Sequence, residues 1–197
     1  MAKRLFDLVC AGVGLVLLSP LLILLAVAIR LESPGPVFFR QERVGRYGKA
    51  FQIHKFRTMV VNAERKGLQI TVGADRRVTR VGHLLRKYKF DELPQLLDVM
   101  NGDMSLVGPR PEVPRYVSRY PDGVRDVVLS VRPGITDRAS IEFKDENLIL
   151  GRATDPEQAY IDEVLPIKLR YYTDYVQTRS LWGDFKIILS TFAALIR

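Results

Sequence analysis

Cysteine and histidine are scarce in this chain of 197 residues, which contains one cysteine and two histidines. Cys10 cannot form a disulfide within the chain, and a single thiolate also excludes thiolate-rich zinc sites. His54 and His83 are too few for a multi-histidine metal site, and they make a catalytic triad built on histidine a poor interpretation. Any chemistry is therefore expected to rest on carboxylates and cations.

The common nucleotide-binding motifs are also missing. The sequence contains no Gly-x-x-x-x-Gly-Lys-Ser/Thr loop, no complete Gly-x-Gly-x-x-Gly and no Asp-x-Asp pair of the kind that many nucleotide-sugar transferases use for metal. Disorder is excluded because hydrophobic residues make up 47% of the chain and charged residues 26%. The length suits one globular domain with an appendage.

Charge is absent from residues 8–29 near the N-terminus. As a helix this run is about 33 Å long, close to the roughly 30 Å hydrocarbon core of a bilayer. A cleaved signal peptide is disfavoured, because the run exceeds the usual hydrophobic region of roughly 7–15 residues and Asp7 interrupts the basic leader. The sequence therefore predicts a membrane segment.

Two features of this segment bear on its topology. Ser19-Pro20 lies in the middle of the run, where proline removes a backbone hydrogen bond and is expected to kink the helix. Basic residues flank both ends, which favours a cytoplasmic location for both. A re-entrant helix satisfies both observations. Spanning helices also tolerate proline, however, so these features alone leave re-entrant and spanning topologies open.

Basic and acidic residues are segregated along the rest of the chain. Residues 30–90 hold 15 lysines and arginines against 4 acids, a balance of +11, whereas residues 91–197 hold 13 against 17, a balance of −4. The basic half favours contact with anionic headgroups or with the phosphates of a ligand, and a solvated surface is the simpler alternative. Nucleic acid is a weaker alternative, since no helix-turn-helix spacing, zinc finger or stacking motif accompanies the charge.

Hydrophobic periodicity predicts a small β-hairpin within a mainly helical chain. Alternating apolar residues favour the hairpin over residues 37–55, with a turn at 45–48. Helical spacing recurs around 78–85 and 93–100, and the second run is followed by a stop at Asn101-Gly102. Two helices are therefore expected to meet at Asp91-Glu92. Helices are also predicted over 113–120 and after the capping pair Asp155-Pro156.

Residues 181–196 are predicted to form an amphipathic helix. Its apolar positions fall on one face: Leu181, Trp182, Phe185, Ile188, Leu189, Phe192, Leu195 and Ile196. Such a face either packs on the domain or lies at the lipid headgroup boundary.

The adjacent carboxylates Asp91 and Glu92 have a structural and a functional interpretation. At a helix N-terminus acidic residues commonly cap backbone amides and complement the helix dipole. The same position is expected to lower a carboxylate pKa and to present amides to an anion, as suits a nucleophile that attacks phosphorus. Arg86 precedes the pair by little more than a helical turn, and Arg110 lies between two prolines.

Four motifs complete the pattern: 55–59 (KFRTM), 91–96 (DELPQL), 101–111 (NGDMSLVGPRP) and 131–136 (VRPGIT). Together with the apolar N-terminal helix, and in this order, they resemble the bacterial sugar transferases, in particular the small monotopic polyprenyl-phosphate phosphoglycosyl transferases. The resemblance runs from the N-terminal helix to the C-terminal one, and the two middle motifs are highly specific.

The resemblance implies an α+β fold: a mainly helical cytoplasmic domain with a small β-hairpin, a kinked re-entrant membrane helix and amphipathic interfacial helices. It divides the chain into a membrane helix, 1–32, and a catalytic domain, 33–197. Ser19 and Pro20 would form the re-entrant break. The implied location is the cytoplasmic face of the bacterial inner membrane.

The implied reaction is covalent and has two steps. Asp91 would attack the sugar-bearing phosphate of a UDP-sugar and release UMP, and a polyprenyl phosphate would then take the phosphosugar from Asp91. Glu92 would position or deprotonate a reacting group, and Mg²⁺ near Asp91 would offset phosphate charge. The implied phosphate and nucleotide contacts are Lys55, Arg57, Arg86, Arg110 and Arg132.

One departure from the family pattern leaves the donor sugar open. Many members continue after Ile135-Thr136 with glycine and an Ala-Gln stretch, whereas this chain continues with Asp137-Arg138-Ala139. A UDP-linked, N-acetylated sugar is the expectation from family frequency. The partners implied are the donor, the lipid acceptor, membrane lipids and no nucleic acid, with a homodimer possible. The alternatives are a membrane-tethered basic nucleic-acid-binding protein without catalysis and a structural membrane scaffold.

Overall fold

The computed structural model describes residues 1–63, 75–143, 150–151 and 153–196, with only the backbone at 195 and 196. The helices are α1 (Ala2–Glu32), α2 (Arg80–Lys87), α3 (Gln95–Asn101), α4 (Pro114–Val117), α5 (Val124–Leu129), α6 (Arg138–Glu142), α7 (Pro156–Ala159), α8 (Leu165–Thr178) and α9 (Leu181–Ile196). The strands are β1 (Phe38–Val44), β2 (Ala50–Phe56), β3 (Ser105–Val107) and β4 (Gly134–Thr136). The predicted α+β class with helix in excess is confirmed.

The apolar N-terminal segment forms the continuous helix α1, which Ser19-Pro20 does not interrupt. The hydroxyl of Ser19 donates to the carbonyl of Val16 at 2.8 Å. That carbonyl is four residues before Pro20, so it is the acceptor that proline leaves without its usual N–H. The serine therefore compensates locally for the missing backbone bond.

Both ends of α1 contact the same body of the protein. Near its start, the Arg4 guanidinium donates to the carbonyl of Val99 at 2.7 Å. At its end, the Glu32 carboxylate accepts the backbone N–H groups of Arg80, at 2.7 Å, and of Val81 at the start of α2. Between these ends Ala11, Leu25 and Ile29 are buried against the body.

The predicted hairpin is confirmed. Strands β1 and β2 pair antiparallel, from Phe38 opposite Phe56 to Val44 opposite Ala50. A short 3-10 turn over Arg46–Gly48 joins them, in which Tyr47 has φ 59°. The inner face of β2 contributes Phe51 and Ile53 to a core cluster with Val99 and Met104, and Ala11 of α1 closes this cluster.

The region around Asp91-Glu92 differs from the expected meeting of two helices. A separate 3-10 turn, Phe90–Glu92, lies between α2 and α3, and Lys89 ahead of it takes the left-handed conformation with φ 56°. Helix α3 begins only at Gln95 and ends at Asn101, where the following Gly102 caps it with φ 93°. The placement of the acidic pair at a helix N-terminus was therefore wrong, whereas the predicted stop at Gly102 is confirmed.

A second, parallel pair of strands was not predicted. Ser105 of β3 pairs with Gly134 of β4, and Val107 pairs with Thr136. The two backbone segments lie so close that a Cβ on Gly134 would be 2.1 Å from the backbone nitrogen of Gly108. The two glycines therefore permit the contact that brings the 101–111 and 131–136 motifs together.

The C-terminal half packs around α8. As predicted, Asp155 caps α7, since its carboxylate accepts the N–H groups of Glu157 and Gln158 at 3.1 and 3.0 Å. A π-helical turn, Tyr160–Val164, leads from α7 into α8. The largest core cluster lies here, with α4, α5, α6 and α8 contributing buried residues.

Helix α9 divides its side chains between the body and solvent. Asp184 and Ile187 are buried against the body. Five apolar residues of the predicted face are exposed instead: Leu181, Trp182, Phe185, Leu189 and Phe192. Helix α9 therefore packs on the body through a different face from the one that carries Trp182, Phe185 and Phe192. No described residue buries this aromatic face.

Candidate active site

Asp91 and Glu92 lie where α2, β2 and the 101–111 motif converge. Thr79 caps α2 by accepting the N–H of Gly82 at 2.9 Å. Gly82 lets α2 pack directly on the chain after β2, because a Cβ there would lie 2.0 Å from the carbonyl oxygen of Thr58. This close contact brings Arg86, on the same helix, toward the acidic pair.

Glu92 is held by two cations. Its Oε1 accepts a hydrogen bond from Lys55 Nζ at 2.7 Å, and both terminal nitrogens of Arg110 donate to its two oxygens. Burial disfavours the charged form, but the charges of Arg110 and Lys55 outweigh it and hold the pKa of Glu92 well below its ordinary value. Glu92 is therefore an ionised anchor for both cations.

The pKa values of Lys55 and Arg110 are shifted in opposite directions at this shared site. The charge of Glu92 raises the pKa of Arg110 well above its ordinary value. Burial lowers the pKa of Lys55, with the charge of Glu92 opposing that change. Lys55 and Arg110 are thus the basic groups of a desolvated site, which is where a charge acts most strongly on a phosphate.

Asp91 has the opposite environment to its neighbour. Its Oδ1 is buried and accepts no hydrogen bond from any described residue. Burial, followed by repulsion from Glu92, raises the pKa of Asp91, with the charges of Lys55 and Arg86 opposing the change. The lowered pKa that we predicted is wrong, because Asp91 is buried beside a second carboxylate and is not at a helix N-terminus.

The capping interpretation of the pair is not supported. Neither the 3-10 turn that contains Asp91 and Glu92 nor the following α3 has a side-chain cap. The Glu92 oxygens bind cations, and the buried Asp91 oxygen has no donor among the described residues. A buried, unpartnered carboxylate oxygen is costly for folding, so its presence here favours a functional explanation.

Arg86 belongs to the same cluster. Its Nε donates to Thr58 Oγ1 at 2.9 Å, which fixes the guanidinium beside the chain that follows β2. Burial lowers the pKa of Arg86, and the charge of Asp91 opposes this change. The structure therefore brings together Lys55, Arg86 and Arg110 of the predicted cationic residues around Asp91 and Glu92.

The other two predicted phosphate contacts lie elsewhere. Arg57 is almost fully buried, and its guanidinium donates to the carbonyls of Ser33 and Pro34 at 2.8 and 2.7 Å, just beyond α1. Arg132 donates through Nε to the carbonyl of Gly102 at 2.7 Å, at the far end of α3. Both arginines fasten backbone segments, and neither contacts the acidic pair.

The described residues contain no cluster of three or more His, Cys, Asp or Glu side chains that would form a metal cage. Asp91 Oδ1 is nevertheless a free oxygen ligand, whereas both Glu92 oxygens are bound to cations. Mg²⁺ commonly takes one or two carboxylates, with substrate phosphates and waters as its other ligands. One free carboxylate oxygen thus fits a magnesium ion that would take its other ligands from phosphate and water.

Asp98 and His54 support the site from behind and were not predicted to do so. The carboxylate of Asp98 accepts the backbone N–H of His54 at 2.9 Å and contacts its ring Nδ1 at 2.5 Å. This clamp joins α3 to β2 one residue before Lys55. The signal in the sequence was Asp98 itself, an acidic residue at a position of α3 where the hydrophobic period calls for an apolar one.

A second supporting group surrounds Arg110. Arg43 donates to the carbonyl of Pro111 at 3.0 Å and lies 3.8 Å from the carboxylate of Glu112. Glu112 in turn accepts the Tyr160 hydroxyl at 2.6 Å. These contacts hold the segment after Arg110 against β1, and Glu112 directly follows the motif that singled out Arg110.

A mainly helical fold, an apolar first helix and an acidic pair surrounded by cations are together what the four sequence motifs led us to expect of a bacterial sugar transferase. The chain belongs to the bacterial sugar transferase family, whose model matches residues 1–197.

Curated relatives agree with this membership. A protein of Aeromonas hydrophila, named UDP-N-acetylgalactosamine-undecaprenyl-phosphate N-acetylgalactosaminephosphotransferase, is 39% identical over 98% of this chain and 43% of its own length. A UDP-glucose:undecaprenyl-phosphate glucose-1-phosphate transferase of Caulobacter vibrioides is 41% identical over 98% of this chain and 69% of its own length. An Escherichia coli protein of the same name is 38% identical over 96% of this chain and 39% of its own length. The chain thus spans less than half the length of two of these relatives.

Proposed function

We propose that this chain transfers a sugar 1-phosphate from a UDP-sugar to a polyprenyl phosphate at a membrane surface. The observation that carries this proposal is the buried, unpartnered Oδ1 of Asp91, with the charges of Lys55 and Arg86 acting on it and Arg110 bound to the adjacent Glu92. One unbound carboxylate oxygen among fixed cations suits attack on an anionic phosphorus centre. Relatives named as undecaprenyl-phosphate sugar phosphotransferases supply the substrate class.

In the first half-reaction, an Asp91 oxygen attacks the phosphorus that carries the sugar. The bond from this phosphorus to the oxygen that bridges it to UMP breaks, and UMP leaves with that oxygen and the bonding electrons. The product is an acyl phosphate that joins Asp91 to the sugar 1-phosphate. Lys55, Arg86 and Arg110 offset the negative charge on the phosphoryl oxygens during this step.

In the second half-reaction, an oxygen of the polyprenyl phosphate attacks the same phosphorus. The bond to the Asp91 oxygen breaks, the carboxylate is restored, and the polyprenyl diphosphate sugar is released. The second pKa of a phosphate monoester is about 6, so the acceptor is mostly ionised at neutral pH and attacks without a general base. We assign Glu92 the role of positioning Lys55 and Arg110, since both its oxygens are bound to them.

Asp91 would also be the protein ligand of Mg²⁺, with the donor diphosphate providing further oxygens. When bound there, the ion would neutralise phosphate charge and polarise the phosphoryl oxygens. Glu92 would not share the ion, because both its oxygens are already bound to Lys55 and Arg110.

We also propose that α1 is re-entrant, with both ends and the catalytic domain on the cytoplasmic face of the bacterial inner membrane. Asp7, near the start of α1, accepts the Ser105 hydroxyl at 2.8 Å, and Glu32 at its end binds the start of α2. These positions are about 37 Å apart along a straight helix, more than the hydrocarbon core of a bilayer. A spanning helix would place them on opposite faces, whereas here both bind one body.

The exposed apolar residues of α1 and α9 indicate which surface of the protein faces lipid. The side of α1 away from the body exposes several large apolar residues: Leu5, Val9, Val13, Val16, Leu17, Ile23, Leu24, Val27 and Leu31. The aromatic face of α9 exposes Trp182 and Phe192. Exposed aromatic and aliphatic residues on an amphipathic helix favour insertion at the headgroup boundary, so we assign α9 an interfacial position.

The sugar of the donor is proposed only as a UDP-linked hexose or N-acetylhexosamine. The relatives carry names with N-acetylgalactosamine and with glucose at similar identity. Asp137, at the departure from the family pattern, is a buried helix cap that accepts the Ser140 N–H at 3.0 Å and its hydroxyl at 2.6 Å. A capping role explains this residue without reference to the sugar.

The decisive experiment detects the covalent intermediate. Purified full-length protein in detergent is incubated with Mg²⁺ and UDP-sugars radiolabelled in the sugar, without lipid acceptor, and is then quenched. We expect UMP release equivalent to the enzyme present and label on the peptide that contains Asp91. Continued turnover on adding polyprenyl phosphate supports the second step, and absence of both label and UMP release with every donor contradicts the proposal.

A further inference from the structure

A cavity of about 350 Å³ lies at the opposite end of α3 from the acidic pair. Five cationic side chains line it: Lys3, Arg4, Arg46, Arg132 and Arg179. Two carboxylates, Asp7 and Asp184, also line it. None of Lys55, Arg86, Asp91, Glu92 or Arg110 lines this cavity, and α3, about 10 Å long, lies between the two places.

The two carboxylates do not neutralise the arginines of this cavity. Lys3 Nζ lies 2.9 Å from Asp7 and 2.8 Å from Asp184, so one lysine is shared between both buried acids. None of the four arginines forms an ion pair with a described carboxylate. The lining therefore carries a formal excess of three positive charges.

The arginines also keep free donor groups. Arg132 and Arg46 each use only Nε for hydrogen bonds to described residues, to the carbonyls of Gly102 and Ser130 at 2.7 and 2.8 Å. Their terminal nitrogens are left for a ligand. Arg4 and Arg132 have a structural role in addition, because they bind backbone carbonyls at the end of α3. Arg46 and Arg179 form no hydrogen bond to that helix.

The surroundings of the cavity are those of a membrane interface. Lys3 and Arg4 directly precede the apolar face of α1, on which Leu5 is 65% exposed. Leu181 lines the cavity, and its neighbour Trp182, 64% exposed, stacks on Phe185 with ring centroids 5.7 Å apart. Cations beside exposed tryptophan are typical of the headgroup level of a bilayer.

We propose that this cavity binds the phosphate group of a membrane lipid, with Arg46, Arg132 and Arg179 as its ligands. An anionic phospholipid and the polyprenyl phosphate acceptor both offer that chemistry. In either case the acyl or prenyl chain extends along the exposed apolar residues of α1 and α9. The inference goes beyond the proposed reaction, because it assigns lipid recognition to a place that shares no residue with the acidic pair.

The single tryptophan of the chain, Trp182, reports on this cavity without any turnover. Full-length protein in a neutral maltoside detergent is titrated with dihexanoyl phosphatidylglycerol, dihexanoyl phosphatidylcholine, undecaprenyl phosphate or inorganic phosphate, and Trp182 emission is recorded. We expect a saturable change with phosphatidylglycerol and undecaprenyl phosphate, and weaker binding of the zwitterionic lipid. Saturation by undecaprenyl phosphate alone, with a Kd that is unchanged in Arg179→Gln and Arg132→Gln, would place the binding at the acidic pair and overturn the proposal.

Charge variants test whether the cavity is responsible. Arg179→Gln and Arg132→Gln are each expected to raise the Kd about fivefold, the equivalent of about 1 kcal/mol for one basic residue at a membrane surface. Arg125→Gln, which removes the same charge from an exposed position on α5, is expected to leave the Kd unchanged. Equal Kd values for wild type, Arg179→Gln and Arg132→Gln would overturn the proposal, as would binding of inorganic phosphate as tight as that of the lipids.

Discussion

The Ser19 hydroxyl lies 2.8 Å from the carbonyl oxygen of Val16, the one helix acceptor that Pro20 leaves without an N–H donor. In hydrocarbon an unpaired carbonyl is costly, so this bond decides how well α1 tolerates its proline. Within the Ser-Pro pair, Pro20 removes a backbone hydrogen bond and Ser19 replaces it with a side-chain hydrogen bond to the same carbonyl. A bend at this position would therefore leave no bare carbonyl.

The first prediction concerns the topology of α1. In a Cys10→Ser background, single cysteines at Ala2 and Leu31, both exposed, are expected to react with an impermeant maleimide only from the cytoplasmic side. The physical reason is that both ends of α1 bind the same body. Labelling is measured in right-side-out spheroplasts and in inverted vesicles. Reaction of one position from the periplasmic side would contradict the re-entrant proposal.

Local sequence rules predicted the elements that local contacts determine. The β1–β2 hairpin follows from alternation around the Gly45–Gly48 turn, the start of α7 from Asp155-Pro156, and the end of α3 from Gly102. Each of these is decided by residues close in sequence, through turn geometry or helix capping.

The misses depend on contacts between distant residues. Strands β3 and β4 have three residues each, too few for a periodicity, and they pair because Gly108 and Gly134 allow their chains to touch. The motif that contains Arg57 predicted a phosphate contact but not the bonds that its guanidinium donates to the carbonyls of Ser33 and Pro34, just beyond α1. The pKa of Asp91 depends on burial and on Glu92, and burial is a property of the assembled fold.

The second prediction separates a nucleophile from a structural aspartate. Asp91→Asn is expected to abolish covalent labelling and to lower UMP release more than about 1,000-fold, because the amide cannot form the acyl phosphate. Burial raises the pKa of Asp91, so its ionisation disfavours the folded state at neutral pH. Thermal melts at pH 7 are therefore expected to show Asp91→Asn at least as stable as wild type. A less stable variant that retains turnover would point to a structural role.

The third prediction tests the clamp between α3 and β2. Asp98→Ala removes the acceptor of both the backbone N–H and the ring of His54, and we expect a loss of about 1–3 kcal/mol in the free energy of unfolding. Lys55 follows His54, so the rate of covalent labelling is expected to fall as well. The control is Asp126→Ala at an exposed position on α5. Equal stability of both variants would show that the clamp does not support the site.

The fourth prediction uses the close contact of α2. Gly82→Ala would place its Cβ 2.0 Å from the Thr58 carbonyl oxygen, so α2 must move away and take Arg86 with it. We expect lower stability by about 1–3 kcal/mol and slower labelling of Asp91. Gly12→Ala on α1 is the control, because a Cβ there meets nothing within 4 Å. Thermal melts and single-turnover labelling measure both effects, and a Gly82→Ala protein with wild-type values in both would contradict the packing argument.

The fifth prediction follows from the ion-paired state of Glu92. Glu92→Gln leaves the charges of Lys55 and Arg110 without their partner, and breaking such a buried pair costs about 3–5 kcal/mol. The folded pKa of Glu92 lies well below its unfolded value of about 4.3, so its stabilisation is complete above that value and is lost as the pH falls through the folded pKa. The stability difference between wild type and Glu92→Gln is therefore expected to be largest at neutral pH and to shrink below about pH 4. Thermal melts between pH 3 and pH 8 measure it, with the exposed Glu142→Gln as control. A difference that stays constant over this range would mean that the charge of Glu92 does not hold Lys55 and Arg110 in place.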